Sequence, residues 1–216
     1  MAGKVITVAQ QKGGSGKTTL AVTLAVELVR AGQRVALLDT DPQGSLGRWF
    51  MARRDRLGAP GLEFSTASAW GVSYECEKLR RLVDVVIVDT PPKVDADLRP
   101  ALREADLVLV PVTASHLDLW ATEGVLELCA RERRRALIVL NRAKSGTNLA
   151  EEIAQASEGL GEVAKARLGQ RVVFAEALGQ GLGVSELGGS VAVREAQALL
   201  AEVLARLASP TAAAAR

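Results

Sequence analysis

Apolar residues in this chain fall in short, uninterrupted runs rather than in alternating or heptad patterns. Residues 5–9, 35–38, 85–88, 107–110 and 136–140 are each four or five residues long and rich in Val, Ile and Leu. Runs of that kind suit strands buried on both faces, as in a parallel sheet covered by helices. Helix-length segments separate them. Residues 18–31 carry apolar side chains at helical spacing, with Gly32 as the stop. Weaker strand signals lie at 62–65 and 165–168, and a last helix is predicted over about 191–208. The expected fold class is α/β, with three layers and a mostly parallel sheet carrying helices on both faces. Residues 1–208 read as one domain and 209–216 as a flexible tail.

Composition narrows the classes. The chain has 216 residues, 48% of them hydrophobic and 24% charged, enough to bury a core without disulfides. Its two cysteines, Cys76 and Cys129, form no CxxC or Cys/His cluster, so neither a disulfide framework nor zinc is indicated. No apolar run approaches the ~20 residues needed to span a bilayer, and a soluble, cytoplasmic protein is expected. The net charge of +2 conceals a strong preference for Arg over Lys among 27 basic residues. Near-neutrality excludes a polycationic nucleic-acid coat but leaves room for a local arginine patch. At 3% aromatics a base-stacking platform is excluded.

Chemistry concentrates after the apolar runs, at the sheet edge where ligands bind in open α/β folds. Gln11-Lys12-Gly13-Gly14-Ser15-Gly16-Lys17-Thr18-Thr19 follows the first strand and opens the first helix. Glycines there let successive N–H groups turn inward onto an anion at a helix N-terminus. Lys17 can reach β- and γ-phosphates, and the Thr18 hydroxyl can ligate Mg²⁺. The strict phosphate-loop pattern fails at its first position, where Gln11 replaces Gly, and an extra lysine, Lys12, precedes the glycines. Asp39 and Asp41 end the second run and Asp89 the third. A carboxylate at such a strand end either serves the site or caps the following helix.

The KGGxGKTT loop resembles the deviant Walker A motif of the ParA/MinD family of ATPases. Residues 37–44 look like that family's second box, 86–92 like its Walker B, and Val110-Pro111-Val112-Thr113 and Leu140-Asn141-Arg142 like later landmarks. Phe174-Ala175-Glu176-Ala177 fits more loosely. The likeness covers nearly the whole chain and looks like the short ParA branch without an N-terminal DNA-binding extension. It implies a P-loop NTPase fold, ATP and Mg²⁺ as ligands, and a homodimer closed by ATP. Lys12 would neutralise the γ-phosphate of the other subunit, Lys17 its own, and Asp41 would orient the attacking water. Gly13, Gly14, Ser15, Gly16, Lys17, Thr18 and Thr19 would hold the phosphates, and Asn141 and Arg142 the base. Thr18, Asp39 and Asp89 would serve the metal. For Asn141 helix capping is the rival reading.

The branch is read from what the rest of the chain offers. Its last helix is charge-balanced rather than basic on its polar face, which argues against a membrane anchor. Cys76 and Cys129 lack the setting of an iron–sulfur bridge, and the lone His116 makes no second-substrate site. ParA-like members bind DNA without sequence preference, which implies backbone contacts from Arg and Lys and nucleoid association. Arg167, Arg171 and Arg194 are the candidate contacts. The run Arg131-Glu132-Arg133-Arg134-Arg135 reads better as a solvated helix end. The expected activity is ATP hydrolysis that positions a plasmid, chromosome or protein complex, triggered by a ParB-like or cargo-adaptor partner. The alternative is a nucleotide-switched scaffold or regulator, such as a cell-division or flagellar positioning factor.

Overall fold

The computed structural model describes residues 2–92, 98–144 and 146–209. In chain order it contains β1 (Lys4–Val8), α1 (Lys17–Arg30), β2 (Val35–Asp39), α2 (Ser45–Leu57), β3 (Glu63–Thr66), α3 (Val72–Leu79), β4 (Val85–Asp89), α4 (Leu98–Glu104), β5 (Leu107–Val112), α5 (His116–Arg131), β6 (Ala136–Leu140), α6 (Asn148–Glu158), α7 (Val172–Gly179) and α8 (Val191–Ala208). The six strands form one sheet in the order β3-β2-β4-β1-β5-β6, and every pairing is parallel. The expected α/β architecture is what the chain adopts. β1 lies centrally, so the loop leaving it opens at the middle of the sheet's C-terminal edge.

Alternate residues of each strand feed opposite layers, which is why the runs are apolar throughout. Ile6, Val8, Leu37, Ile87, Leu109 and Val139 pack with α1, α7 and α8 on one face. Val5, Leu38, Val86 and Val88 pack with α3 on the other. Val108 and Val110 meet α4 and α5 there, and Ile138 and Leu140 meet α6. Leu199, Leu200 and Val203 of α8 are buried in the first layer, so the apolar side of the last helix is covered by its own chain. Among the described residues no helix is long and apolar enough to cross a membrane.

Two strand expectations need adjustment. β5 continues through Pro111 to Val112; its pairing with β1 stops at Leu109, so on that side nothing requires an N–H from residue 111. Residues 165–168 form no strand. The chain there runs beside β6 through isolated parallel bridges, Ile138 with Val163 and Ala143 with Gly169. The backbone groups of β6's outer edge are thereby occupied: Leu168 N–H donates to the Leu140 carbonyl at 2.9 Å and Ala143 N–H to the Leu168 carbonyl at 2.9 Å. Of the tail, residues 210–216 lie outside the described residues.

The helix that follows β2 is tied to the C-terminal third by a buried arginine. Arg53 of α2 is 3% exposed and makes two 2.8 Å bonds to the Glu186 carboxylate. It also donates to the Pro60 carbonyl at 2.7 Å and the Gly181 carbonyl at 3.2 Å. Its guanidinium lies 5.4 Å from the centre of the Trp49 ring, and Trp49 Nε1 donates to the Leu182 carbonyl at 3.2 Å. Burial raises the Glu186 carboxyl, but bonds from Arg53 and from Gly183 N–H outweigh it and leave the group below its ordinary value of 4.5. That stabilisation is complete above the ordinary value and is lost as pH falls through the lowered one. Arg53→Ala is therefore expected to cost about 3 kcal/mol at neutral pH, as expected when one member of a buried pair is removed. Urea melts at pH 7 and pH 4 check this: the gap between variant and wild type should shrink on acidification.

Candidate functional site

The glycine loop connects β1 to α1 and lies over the sheet's C-terminal edge. Gly14 and Gly16 have positive φ, +79° and +87°, a conformation side-chain-bearing residues rarely adopt. At Gly16 the close neighbour is Asn141, whose Nδ2 would lie 2.3 Å from an added Cβ. Gln11 is not among the left-handed positions, so its backbone has no need of glycine. Its side chain instead lies where a Cβ on Gly124 of α5 would sit. The departure from the strict pattern at residue 11 is thus a packing contact.

Lys17 begins α1 and is buried, with Nζ donating to the Gln10 carbonyl at 3.1 Å. Burial lowers its pKa, while the charges of Asp89 and Asp41 oppose the shift. Thr18 Oγ1 donates to Asp89 Oδ2 at 2.7 Å. Burial pushes the Asp89 carboxyl up to about 7; the Thr18 hydrogen bond and the Lys17 charge oppose this, and the negative charges of Asp39 and Asp41 add to it. Asp89 Oδ1 and Ser15 Oγ are buried with no hydrogen-bond partner in the protein. An orphaned carboxylate oxygen beside a threonine hydroxyl fits an Mg²⁺ held through water and phosphate oxygens. No group of three or more His, Cys, Asp or Glu able to hold a metal occurs among the described residues. A metal here would therefore need a ligand's oxygens to complete its shell.

Lys17, Thr18, Thr19, Asp41, Arg48 and Arg142 share the lining of a cavity of about 490 Å³ bounded by α2 and α7. Asp41 N–H donates to Asp39 Oδ1 at 3.0 Å, and Asp41 Oδ1 accepts from Gln43 N–H at 2.9 Å. Arg48 belongs to none of the sequence motifs. It is an exposed α2 arginine, and only the packing of α2 against the loop brings it to this cavity.

Several expected site residues have other employment. Asp39, assigned to the metal, accepts from Asp41 N–H and Gly47 N–H at 3.0 Å each, using both oxygens. It shapes the turn into α2, and Asp89 alone meets Thr18. Asn141, assigned to the base, is buried; its Nδ2 donates to the Ser15 carbonyl at 2.8 Å and its Oδ1 accepts from Arg142 N–H at 3.0 Å. It braces the glycine loop. Arg142, at φ 51°, donates to the Gly14 carbonyl at 3.0 Å. Lys12 is not in the lining of the 490 Å³ cavity and pairs with Asp118 of α5.

The arginines expected at DNA divide likewise. Arg171 is committed to Glu195, with Nη2 to Oε1 at 2.6 Å and Nε to Oε2 at 3.0 Å, because Glu195 also accepts from Gly169 N–H at 3.0 Å and fixes the entry to α7. A DNA phosphate at Arg171 would have to compete with that pair. Arg167 makes an exposed pair with Glu151 at 2.8 Å. Arg194 is exposed with no ion pair among the described residues. In the 131–135 run, Arg134 donates to the Ala105 carbonyl at 3.1 Å and Arg135 to the Arg206 carbonyl at 2.9 Å. Cys76 and Cys129 are free, buried thiols pushed up to about 12, chiefly by desolvation.

Comparison with known proteins agrees with this geometry. A family model described as CobQ/CobB/MinD/ParA nucleotide binding domain matches residues 6–184. Maintenance of carboxysome distribution protein A from Halothiobacillus neapolitanus is 31% identical over 212 residues, covering 92% of this chain and 95% of that protein. Chromosome-partitioning ATPase Soj from Thermus thermophilus is 33% identical over 151 residues, covering 58% of this chain and 59% of that one. Among solved structures, the ATP complex of an Asp-to-Ala variant of Cyanothece McdA superposes with a TM-score of 0.80 at 19% identity, over 94% of this chain and 97% of that one. Pyrococcus furiosus cell division ATPase MinD superposes with a TM-score of 0.78 at 17% identity, over 94% and 99%. Likeness at such identities speaks for the fold.

The raised carboxyl of Asp89 has a measurable consequence in ligand-free protein. An acid with a raised folded-state pKa favours the fold below its ordinary value of 3.8 and loses that contribution as pH rises through about 7. Asp89→Asn removes the charge and keeps the shape. Its ligand-free melting temperature should exceed the wild type's at pH 8, and the difference should narrow towards pH 4. A variant no more stable at pH 8 would show that the buried charge is compensated within the protein.

Proposed function

Because the chain belongs to the CobQ/CobB/MinD/ParA nucleotide-binding family, we propose that it is a dimerising ATPase. In this reading it binds DNA without sequence preference in its ATP state and positions a cargo. The observation that carries the proposal is the shared lining of one cavity by Lys17, Thr18 and Asp41, beside the orphaned Asp89 oxygen. A cation, a hydroxyl and a carboxylate bordering one cavity of about 490 Å³ support binding of a metal-bound phosphate chain there. Residues 1–208 would act as one unit.

In this reading the loop amides and Lys17 hold the β- and γ-phosphates, giving up the Gln10 carbonyl to do so. Thr18 and Asp89 would hold Mg²⁺, which when bound supplies positive charge to the phosphate oxygens. Asp41, held by its turn bond to Gln43, orients the attacking water through the oxygen left free. Lys12 supplies charge to the partner subunit's γ-phosphate, so that hydrolysis depends on association. A cargo adaptor would then stimulate hydrolysis and release the dimer from DNA. A protein-complex cargo is favoured by the full-length match to a carboxysome distribution protein; the match to a chromosome-partitioning ATPase spans little more than half of each chain.

The second reading, a nucleotide-switched scaffold that does not act through DNA, gains weight from the arginines. Of the three candidate contacts Arg171 is paired inside the chain, which leaves fewer cations for phosphate contacts than the sequence suggests.

Asp41→Ala should bind ATP and dimerise but hydrolyse at least about a hundredfold more slowly, since a water-orienting group acts mainly on the transition state. Single-turnover hydrolysis at saturating ATP measures this, and a normal rate would remove Asp41 from the catalytic role.

Retention of a random-sequence duplex should be strong with ATP, weak with ADP, and fall steeply with salt through counterion release. Arg194→Ala should weaken it across unrelated sequences without changing ATP affinity. Equal retention with ATP and ADP at both low and high salt would leave the scaffold reading standing.

A further inference from the structure

Lys12 is held by its own chain in this structure. Its ammonium pairs with Asp118 Oδ1 in the first turn of α5, where the Asp118 side chain is 1% exposed and that of Lys12 37%. Asp118 Oδ2 accepts from Thr113 N–H at 3.1 Å and from Thr113 Oγ1 at 2.6 Å. Oδ1 makes no hydrogen bond of its own and has the Lys12 ammonium as its partner. The same helix turn holds the loop a second time. The Asp118 carbonyl accepts from Thr122 Oγ1 at 2.8 Å, and Thr122 Oγ1 accepts from Gln10 Nε2 at 3.0 Å.

Lys12, Arg142 and Lys144 line a second cavity of about 460 Å³ that shares Gly13, Gly14 and Arg142 with the first, and among its described lining residues Asp118 is the one carboxylate. A buried carboxylate oxygen that meets a single cation cannot release it without strong cost, because the charge left behind is neither paired nor solvated. On the same helix Leu117 and Trp120 are 60% and 63% exposed. The apolar surface next to the pair is thus uncovered in the single chain.

We propose that Asp118 is a positioning residue for Lys12, holding the lysine docked in the monomer so that it crosses to a second copy of this chain only when ATP offers it a phosphate. The proposal rests on the reading of Lys12 as a trans-acting residue given above. The occupant of the Leu117–Trp120 surface is then the second copy itself, since the lysine that must leave Asp118 lies beside that surface. Two such pairs break for every dimer formed. The holding contact therefore enters the association constant twice and suppresses dimers that lack ATP.

Sedimentation equilibrium with Mg²⁺ and a non-hydrolysable ATP analogue tests this on the full chain. Asp118→Asn keeps the Thr113 bonds and removes the charge. Its dimer dissociation constant should fall about tenfold or more, while the affinity of the monomer for the analogue stays as in wild type. Lys12→Gln should weaken the dimer, and adding Asp118→Asn to it should change nothing further, because the two residues act through one contact. If Lys12→Gln leaves dimerisation unchanged, the trans-acting reading fails. If it weakens the dimer but Asp118→Asn alone does not strengthen it, only the holding role fails. A second measurement uses the unaltered protein. In ligand-free monomer, acetylation of Lys12 followed by mass spectrometry should run several-fold slower than that of exposed Lys144. Equal rates would overturn the proposal even if the aspartate variant does not fold.

Discussion

The hydrogen bond from Thr18 to Asp89 joins the first turn of α1 to the end of β4, and the site is organised around the carboxylate it satisfies. Asp89 is buried because β4 lies inside the sheet, between β2 and β1, with cores on both faces. A charge at such a place is tolerated only with donors around it. Thr18 supplies one, Lys17 adds a nearby positive charge, and the other oxygen is left without a protein partner. The strand that makes the fold stable therefore also delivers a carboxylate short of one partner to the floor of a phosphate-binding loop. The remaining pieces follow from where that loop must sit: over the central strand, flanked by the turns leaving β2 and β6.

The sheet and the glycine loop were legible in the sequence because both are local patterns. Five of the six strands are apolar runs that need no distant information to be recognised, and the loop's lysines, glycines and threonines are consecutive. Residues 165–168 show the limit of that reading. Their composition suits a strand, yet they follow the edge of β6 through single bridges only. Whether such a segment becomes a strand depends on how many consecutive residues its neighbour can pair, which composition does not encode. Pro111 shows the reverse: a proline that reads as a strand end is accommodated because β1 has already turned away.

Polar side chains were read less well, and the reason is distance along the chain. Asn141 meets Ser15 across 126 positions, and Arg171 meets Glu195 across 24. A motif shows which residue types stand near the site. It does not show which donors the protein has already used, and a guanidinium in a bidentate pair is no longer a free cation. Arg48 is the complementary case, an arginine in no motif that helix packing carries into the cavity.

Those prior commitments also describe the resting state of the loop. Lys17 rests on the Gln10 carbonyl, Asn141 on that of Ser15, Arg142 on that of Gly14, and Lys12 on Asp118. Two of these bonds occupy the Ser15 and Gly14 carbonyls and leave the N–H groups of the same peptides available to an anion, whereas the N–H paired with the Gln10 carbonyl already donates to Gln10 Oε1 at 2.8 Å. On the proposed reading, phosphate binding is an exchange in which Lys17 trades a neutral carbonyl for a charged oxygen, and little backbone order has to be created. The loop is preorganised on the metal and phosphate side by contacts that cost little to give up. On the Lys12 side it is restrained by an ion pair that costs much more. In the proposed dimerising ATPase that inequality would permit a single chain to take up nucleotide readily while association remained the harder step.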